Sequence, residues 1–189
     1  MRRLFIAINI PKDIKEKISK KRDLLESLIP SIRFVGEENW HLTLVFLGEQ
    51  SDEAILPIIK SMKDLIPGFT CPGINFSDIS YGPVKGAPRM VWLNGDENTS
   101  KTLSVLKTQL EDELIKNGVR FKLENREFRT HITLAKFSED QRSGLPDLGG
   151  EFKGLNWFFE AESLDLMESR LSGKGAEYEV LQRIDFGGN

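Results

Sequence analysis

The chain contains only two histidines, and each of them opens the same four-residue pattern. The pattern reads His-Leu-Thr-Leu at residues 41–44 and His-Ile-Thr-Leu at residues 131–134, ninety positions further on. Each copy lies in an apolar run typical of a buried strand, and the two runs occupy corresponding places in the two halves of the chain. The repeat therefore predicts an internal duplication around a pseudo-twofold axis, which would bring the two matching strands together.

Strand geometry decides which side chains of the pattern share a surface. Residues i and i+2 of a strand point to the same face, so His41 lies beside Thr43 and His131 lies beside Thr133. The intervening apolar residues point the other way, toward the predicted helices: Leu42, Leu44, Ile132 and Leu134. Two such strands related by a twofold axis would place two imidazoles and two hydroxyls around one small cleft.

Helical and strand-like patterns alternate along the rest of the chain, which favours the α+β class. Apolar and alternating runs predict strands over Leu4–Ile10, Ser31–Val35, Trp40–Leu47, Met90–Leu93, Val119–Leu123 and Thr130–Phe137, with a closing hairpin of Ser163–Met167 and Tyr178–Phe186. Helices are predicted from Pro11 to Pro30, from Asp52 to Pro67, and along the stripe from Leu103 to Leu114 that Gly118 ends. Residues 138–150 are polar and rich in glycine and proline, so they are predicted to form a loop. No linker divides the chain, so we expect one domain over residues 1–189.

The composition excludes several classes of protein. The formal net charge is −3 over 189 residues, whereas a protein that coats long nucleic acid usually presents a strongly basic face. An enzyme that binds one nucleotide or one RNA end is compatible with this charge. The single cysteine, Cys71, excludes an internal disulfide. The sequence shows no membrane-spanning run, signal-peptide pattern or heptad repeat, so we expect a cytoplasmic monomer.

The paired histidines and threonines are suited to phosphoryl transfer. Imidazole acts as acid or base near neutral pH, so a facing pair can work with one ring protonated and the other neutral. Threonine hydroxyls donate hydrogen bonds to phosphate oxygens. In phosphoryl transfer the attacking and leaving oxygens lie roughly in line through phosphorus, and a twofold arrangement supplies groups on both sides. A catalytic zinc usually needs three protein ligands, and no such set accompanies these histidines, so we expect neither metal nor cofactor.

Charged and aromatic residues flank both copies of the pattern. Arg129 precedes His131 by two positions, so alternation places it on the same face, where it could contact a phosphate or a base. It belongs to a basic cluster with Lys122, Arg126 and Lys136, of which Lys122 and Arg126 could equally form a solvated strand end. Trp40 and Phe46 flank the first copy, where an aromatic face could stack on a nucleobase or belong to the core.

At these residues the chain resembles the 2H phosphoesterase superfamily, whose signature is a paired His-x-Thr/Ser-x. Within it, the chain is most similar to the RNA 2′,3′-cyclic phosphodiesterases, also called 2′-5′ RNA ligases. The similarity includes Arg3–Ala7, Asn39–Gly48, Val91–Leu93, Phe128–Ala135 and Gly175–Tyr178. It implies a bilobal, duplicated α+β fold in which two antiparallel sheets line a central cleft, with helices on the outside. It also implies metal-independent hydrolysis of a 2′,3′-cyclic phosphate on RNA, or on a nucleotide, to a 2′-phosphate.

The resemblance also implies a role for individual residues. His41 would be the general acid toward the 3′-oxygen and His131 the base for water, while Thr43 and Thr133 would hold the non-bridging oxygens. The residues five positions beyond each histidine are expected near the nucleobase of the substrate. In this chain they are Phe46 and Lys136. In a regular strand, a residue at an odd number of positions from the histidine points to the opposite face. A bulge or a strand end is therefore required to bring Phe46 and Lys136 to the face of the histidine.

The sequence departs from the family pattern at three positions. Lys136 stands where the family commonly has arginine, Thr130 replaces a common proline, and Trp40 replaces a common leucine. The same chemistry in reverse would join RNA ends by a 2′-5′ bond. Two alternatives stay open: the same site acting on another cyclic phosphate or a 2′-5′ oligonucleotide, and a non-catalytic module that binds RNA ends or nucleotides.

Overall fold

The structure is a computed structural model that describes residues 1–30, 32–83, 86–124, 126–137, 144–173 and 175–187. These residues include three α-helices, α1 (Lys12–Leu28), α2 (Asp52–Leu65) and α3 (Glu97–Lys116). The strands are β1 (Arg2–Asn9), β2 (Arg33–Phe34), β3 (His41–Gln50), β4 (Gly73–Gly82), β5 (Met90–Gly95), β6 (His131–Lys136), β7 (Trp157–Glu160), β8 (Ser163–Ser172) and β9 (Gly175–Asp185). Among the described helices, none is long and apolar enough to cross a membrane.

The strands form two antiparallel sheets, which confirms the predicted α+β class. The first sheet has the order β3-β1-β8-β9 and the second has the order β2-β6-β5-β4-β7. If the short β2 is set aside, each sheet starts with a histidine-bearing strand, β3 or β6, and continues with three further strands. Residues of β3 and β6 contact each other, so the two sheets adjoin along the strands that carry the repeated pattern.

The side of β3 and β6 that faces away from the histidines lies in the core, as strand alternation predicted. The four intervening apolar residues are all buried: Leu42, Leu44, Ile132 and Leu134. They belong to one hydrophobic cluster that also contains the apolar stripes of the helices, such as Ile14 and Ile18 of α1 and Leu110 of α3. Packing on the helices therefore fixes which face of each strand presents the histidine.

The strand predicted over Val119–Leu123 was wrong, because the start of this segment completes the end of α3. Gly118 has a φ of 82°, and the N–H of Val119 donates to the Leu114 carbonyl at 3.0 Å while that of Gly118 donates to the Ile115 carbonyl at 2.9 Å. This is the hydrogen-bond pattern of a Schellman motif, in which an apolar residue after the glycine packs back on the helix. Val119 is accordingly buried without belonging to a sheet.

Two strands were not predicted, β4 and β7. Polar residues interrupt the apolar alternation of β4, and a register shift between Phe76 and Asp78 breaks its period further. β7 has only four residues and, among the strands that the structure describes, pairs with β4 alone. The predicted closing hairpin is confirmed as β8 and β9, which are longer than expected. The predicted loop over residues 138–150 has its first six residues outside the described part of the chain.

Candidate active site

A bulge in each motif strand rotates the residue five positions after the histidine onto the histidine's own face. In the β1–β3 pair the register steps from Ile6↔Val45 to Ala7↔Thr43, which leaves Leu44 without a partner. Since an extra residue reverses the alternation beyond it, Leu44 and Val45 are both buried and Phe46 is 56% exposed.

The second copy repeats this irregularity at the same offset. In the β5–β6 pair the register steps from Val91↔Ala135 to Trp92↔Thr133, which leaves Leu134 unpaired. Leu134 and Ala135 are buried in succession and Lys136 is exposed. We call the surfaces of the two sheets that carry His41 and His131 the histidine faces. The bulge that the sequence required is thus present in both strands, and Phe46 and Lys136 lie on the histidine faces.

Each imidazole is held by a backbone carbonyl two residues earlier in the chain. His41 Nδ1 lies 2.8 Å from the Asn39 carbonyl oxygen, and His131 Nδ1 lies 2.8 Å from the Arg129 carbonyl oxygen. A carbonyl oxygen only accepts hydrogen bonds, so Nδ1 carries the proton in both rings. The Nε2 atom of each ring is therefore left to accept or donate a proton.

Aromatic rings cover the two histidines. The His41 ring centroid lies 4.8 Å from that of Phe5 and 4.9 Å from that of Tyr178, which meets it edge-on at 85°. The His131 ring lies 4.1 Å from the indole of Trp92. Gly82 of the neighbouring strand leaves room for this indole, since a Cβ there would come within 2.3 Å of it. Sequence reasoning did not assign these contacts, because they depend on strand pairing.

This covering lowers the basicity of both rings. Burial lowers the pKa of His41 from its ordinary value of 6.5 to about 4, and the hydrogen bond to Asn39 opposes the shift only in part. Burial also lowers the pKa of His131, against the hydrogen bond to Arg129. In the free protein both imidazoles are therefore neutral at pH 7.

The two threonines occupy equivalent places beside the histidines. Thr43 pairs with Ala7 and Thr133 pairs with Trp92, and both threonines are partly exposed on the histidine faces. The hydroxyl of Thr133 has a weak contact of 3.9 Å with the sulfur of Met90. This hydroxyl lies on the same face as His131 and is able to donate to a bound anion.

The basic residues around the second copy have different environments. The Arg129 side chain is 59% exposed and pairs with Glu127 at 3.0 Å, and Arg126 pairs with Glu124 at 3.1 Å. The backbone carbonyl of Arg129 holds the His131 ring, whereas its guanidinium, which was predicted to contact a phosphate or a base, pairs with Glu127. Lys136 lies on the face of Thr133, paired across the ladder with Arg33 of β2. In the described part of the chain, no group of three or more histidine, cysteine or acidic side chains is close enough to hold a metal ion.

The sequence left open whether Trp40 stacks on a nucleobase or packs in the core, and in the structure it belongs to the core. Its side chain is 1% exposed and lies in the main hydrophobic cluster. Thr130, which precedes the second histidine, is also buried. Both residues therefore lie behind the motif strands, where they contribute to packing.

Comparison with known proteins identifies relatives over the whole length of the chain. The family model for LigT-like phosphoesterases matches residues 8–92, which include His41. An RNA 2′,3′-cyclic phosphodiesterase of Methanocaldococcus jannaschii is 30% identical over 182 residues, covering 95% of this chain and 98% of that protein. The protein of the same name from Escherichia coli is 30% identical over 182 residues, with 96% and 94% covered.

Comparison with solved structures also identifies relatives that cover nearly the whole chain. A protein of Thermus thermophilus superposes with a TM-score of 0.78 at 25% identity, and the match covers 98% of each chain. The E. coli LigT protein in complex with 3′-AMP superposes with a TM-score of 0.75 at 28% identity, again over 98% of each chain. The chain therefore belongs to the LigT-like phosphoesterases of the 2H superfamily, the family of the RNA 2′,3′-cyclic phosphodiesterases, as the sequence resemblance indicated.

Proposed function

We propose that this protein hydrolyses the 2′,3′-cyclic phosphate at the end of an RNA to a 2′-phosphate, with His41 as general acid and His131 as general base. The observation that carries the proposal is the matched pair of half-sites, each with a histidine whose Nδ1 is held and whose Nε2 makes no hydrogen bond to the described residues. The relatives named above support the substrate class, since they are RNA 2′,3′-cyclic phosphodiesterases.

The reaction needs one proton removed and one proton delivered. The water oxygen forms a bond to phosphorus while His131 Nε2 takes one of its protons. The bond between phosphorus and the 3′-oxygen breaks, and His41 Nε2 gives that oxygen a proton. The attacking and leaving oxygens lie on opposite sides of phosphorus, which a twofold pair of half-sites accommodates. Thr43 and Thr133 donate hydrogen bonds to the non-bridging oxygens, where negative charge is concentrated.

The low basicity of both rings defines how the site becomes charged. At pH 7 the free protein holds two neutral imidazoles, because burial lowers both pKa values. The anionic cyclic phosphate raises the pKa of the imidazole that it contacts, since an opposite charge favours the protonated form. When the substrate binds, His41 therefore takes up a proton, which it then passes to the leaving oxygen.

The exposed residues beyond each bulge complete the substrate site. Phe46 offers an aromatic face on which a nucleobase stacks, and Phe5 supports it from the paired strand at 6.3 Å. Lys136 offers an ammonium group on the opposite half-site. Arg129 makes a smaller contribution through its side chain, because Glu127 competes for the guanidinium. The same groups could serve the reverse joining of RNA ends, although water in excess favours hydrolysis.

Phosphorus NMR of a short RNA that ends in a 2′,3′-cyclic phosphate tests this proposal. With EDTA present, we expect complete conversion to the 2′-phosphate. A 3′-phosphate product would keep the hydrolase and reverse the roles of His41 and His131. An intact substrate, together with protection of the protein against heat by the RNA, would contradict the proposal and favour a binding module.

A further inference from the structure

An asparagine lies directly opposite each histidine on the neighbouring strand. Asn9 of β1 is the ladder partner of His41, and Asn94 of β5 is the ladder partner of His131. Directly opposed residues of an antiparallel pair share a face, with Cβ atoms about 4.5–5.5 Å apart. The duplication of the site therefore extends to a third residue type, which the four-residue pattern does not contain.

Aspartates orient both amides in the same way. Asn94 Nδ2 donates to Asp78 Oδ2 at 2.8 Å and to Ser80 Oγ at 2.7 Å, and both acceptors are on β4. Asn9 Nδ2 donates to Asp165 of β8. In each case the acceptor strand is the neighbour on the far side from the histidine strand. Since a carboxylate only accepts hydrogen bonds, the amide nitrogen faces away from the histidine strand.

Both carboxylates are themselves held in place. Asp165 is fully buried, and Arg183 binds it through two hydrogen bonds of 2.9 and 2.8 Å. Asp78 accepts a further hydrogen bond from Ser77 Oγ at 2.9 Å. Within the described ranges no protein group donates to Oδ1 of Asn9 or Asn94. Each half-site thus has an oriented carbonyl oxygen with unused acceptor capacity beside the imidazole.

We infer that Asn94 Oδ1 positions the attacking water by accepting its second hydrogen, while Asn9 Oδ1 accepts the hydrogen of the departing 3′-hydroxyl. The inference rests on the proposed function and deepens it. The water gives one proton to His131 Nε2, and its other hydrogen stays on the oxygen and bonds to Asn94 as the oxygen joins phosphorus. The 3′-oxygen leaves phosphorus, receives the proton of His41 and then donates it to Asn9 as a hydrogen bond.

Competition between water and methanol tests this arrangement. Methanol has a single hydroxyl hydrogen, which His131 removes, so it gains nothing from Asn94. The RNA substrate is incubated in water–methanol mixtures, and phosphorus NMR measures the ratio of methyl ester to 2′-phosphate. In Asn94→Ala we expect hydrolysis to slow and the ratio to rise about three- to tenfold, the worth of one hydrogen bond. The ratio does not depend on how much of the variant is folded.

Asn9→Ala is the matched control, since it removes the equivalent amide from the other half-site. It should slow both reactions equally and leave the product ratio at the wild-type value. An unchanged ratio in Asn94→Ala, or a rise in Asn9→Ala alone, would overturn the inference. Failure of the proposed function is separate from either result, because the wild-type protein would then give neither product.

Discussion

Replacing Tyr178 with alanine should raise the pKa of His41 while leaving that of His131 unchanged. The Tyr178 ring meets the His41 imidazole edge-on at 4.9 Å, and Phe5 covers it at 4.8 Å. Burial is the largest cause of the low pKa of His41. Tyr178 is a residue of β9. Asn39, two residues before His41, holds the start of this strand by donating a hydrogen bond of 3.2 Å to the Ala176 carbonyl.

The size of the change follows from the low pKa itself. The His41 pKa falls from 6.5 to about 4, and each pKa unit corresponds to about 1.4 kcal/mol. If one of the two covering rings accounts for roughly half of the burial, its removal raises the pKa of His41 by about 1, or about 1.4 kcal/mol. His131 is covered by Trp92, so its titration should not move.

The low pKa also makes the free energy of unfolding depend on pH. His41 binds a proton more readily in the unfolded chain, so its stabilising contribution is complete above pH 6.5 and disappears as the pH falls toward 4. The whole contribution is roughly 3 kcal/mol. In Tyr178→Ala, the loss of stability between pH 6.5 and 4 should be smaller than in the wild type.

Because the chain has only two histidines, both titrations are resolved by nitrogen-15 NMR of the imidazole rings. Urea unfolding at pH 7 and pH 4 measures the linked change in stability. Tyr178→Phe is the control, since it keeps the ring and should keep the low pKa of His41. A His41 pKa that is the same in Tyr178→Ala and in the wild type would refute burial by this ring as the cause.

Three further predictions follow from the same geometry. Phe46→Ala should lower kcat/KM on a cyclic-phosphate RNA about tenfold through lost base stacking. The control Phe158→Ala removes an equally exposed ring from β7 and should leave kcat/KM unchanged. Equal effects of the two substitutions would contradict stacking on Phe46. The pH profile of kcat/KM should be bell-shaped with its maximum below pH 6.5, because burial lowers the pKa of both histidines; a maximum above pH 8 would argue against these two groups. Arg183→Met should lower the free energy of unfolding by about 3 kcal/mol in urea titrations, since it leaves the buried Asp165 carboxylate without its cation, whereas Arg126→Met at an exposed ion pair should have little effect.

Local sequence patterns predicted the part of the site that depends on a single strand. The alternation of His41 with Thr43, and of His131 with Thr133, was sufficient to place these side chains on common faces. The second bulge was also foreseeable, since Leu134-Ala135 puts two apolar residues in succession within an alternating strand, whereas the four apolar residues Leu44–Leu47 do not mark where the first bulge falls. A buried strand with one extra apolar residue must either bulge or expose it.

The remainder of the site depends on which strands pair and in which register. Asn9, Asn94 and Tyr178 reach the histidine faces only through ladder partners that are distant in the chain. No local period marks such residues. Val119 illustrates the opposite error, because an apolar residue after a helix-ending glycine fits a strand pattern and a Schellman contact equally well. Likewise, the polar residues of β4 concealed the strand that supplies Asp78 and Ser80.

The central claim is that His41 and His131 act in one reaction as acid and base, and single and double alanine variants test it most directly. We expect His41→Ala and His131→Ala each to lower the hydrolysis rate about 10²–10⁴-fold. The double variant should lose less than the product of the two single losses, because groups that act as a unit are not additive. A rate near the wild-type value in either single variant would contradict the account.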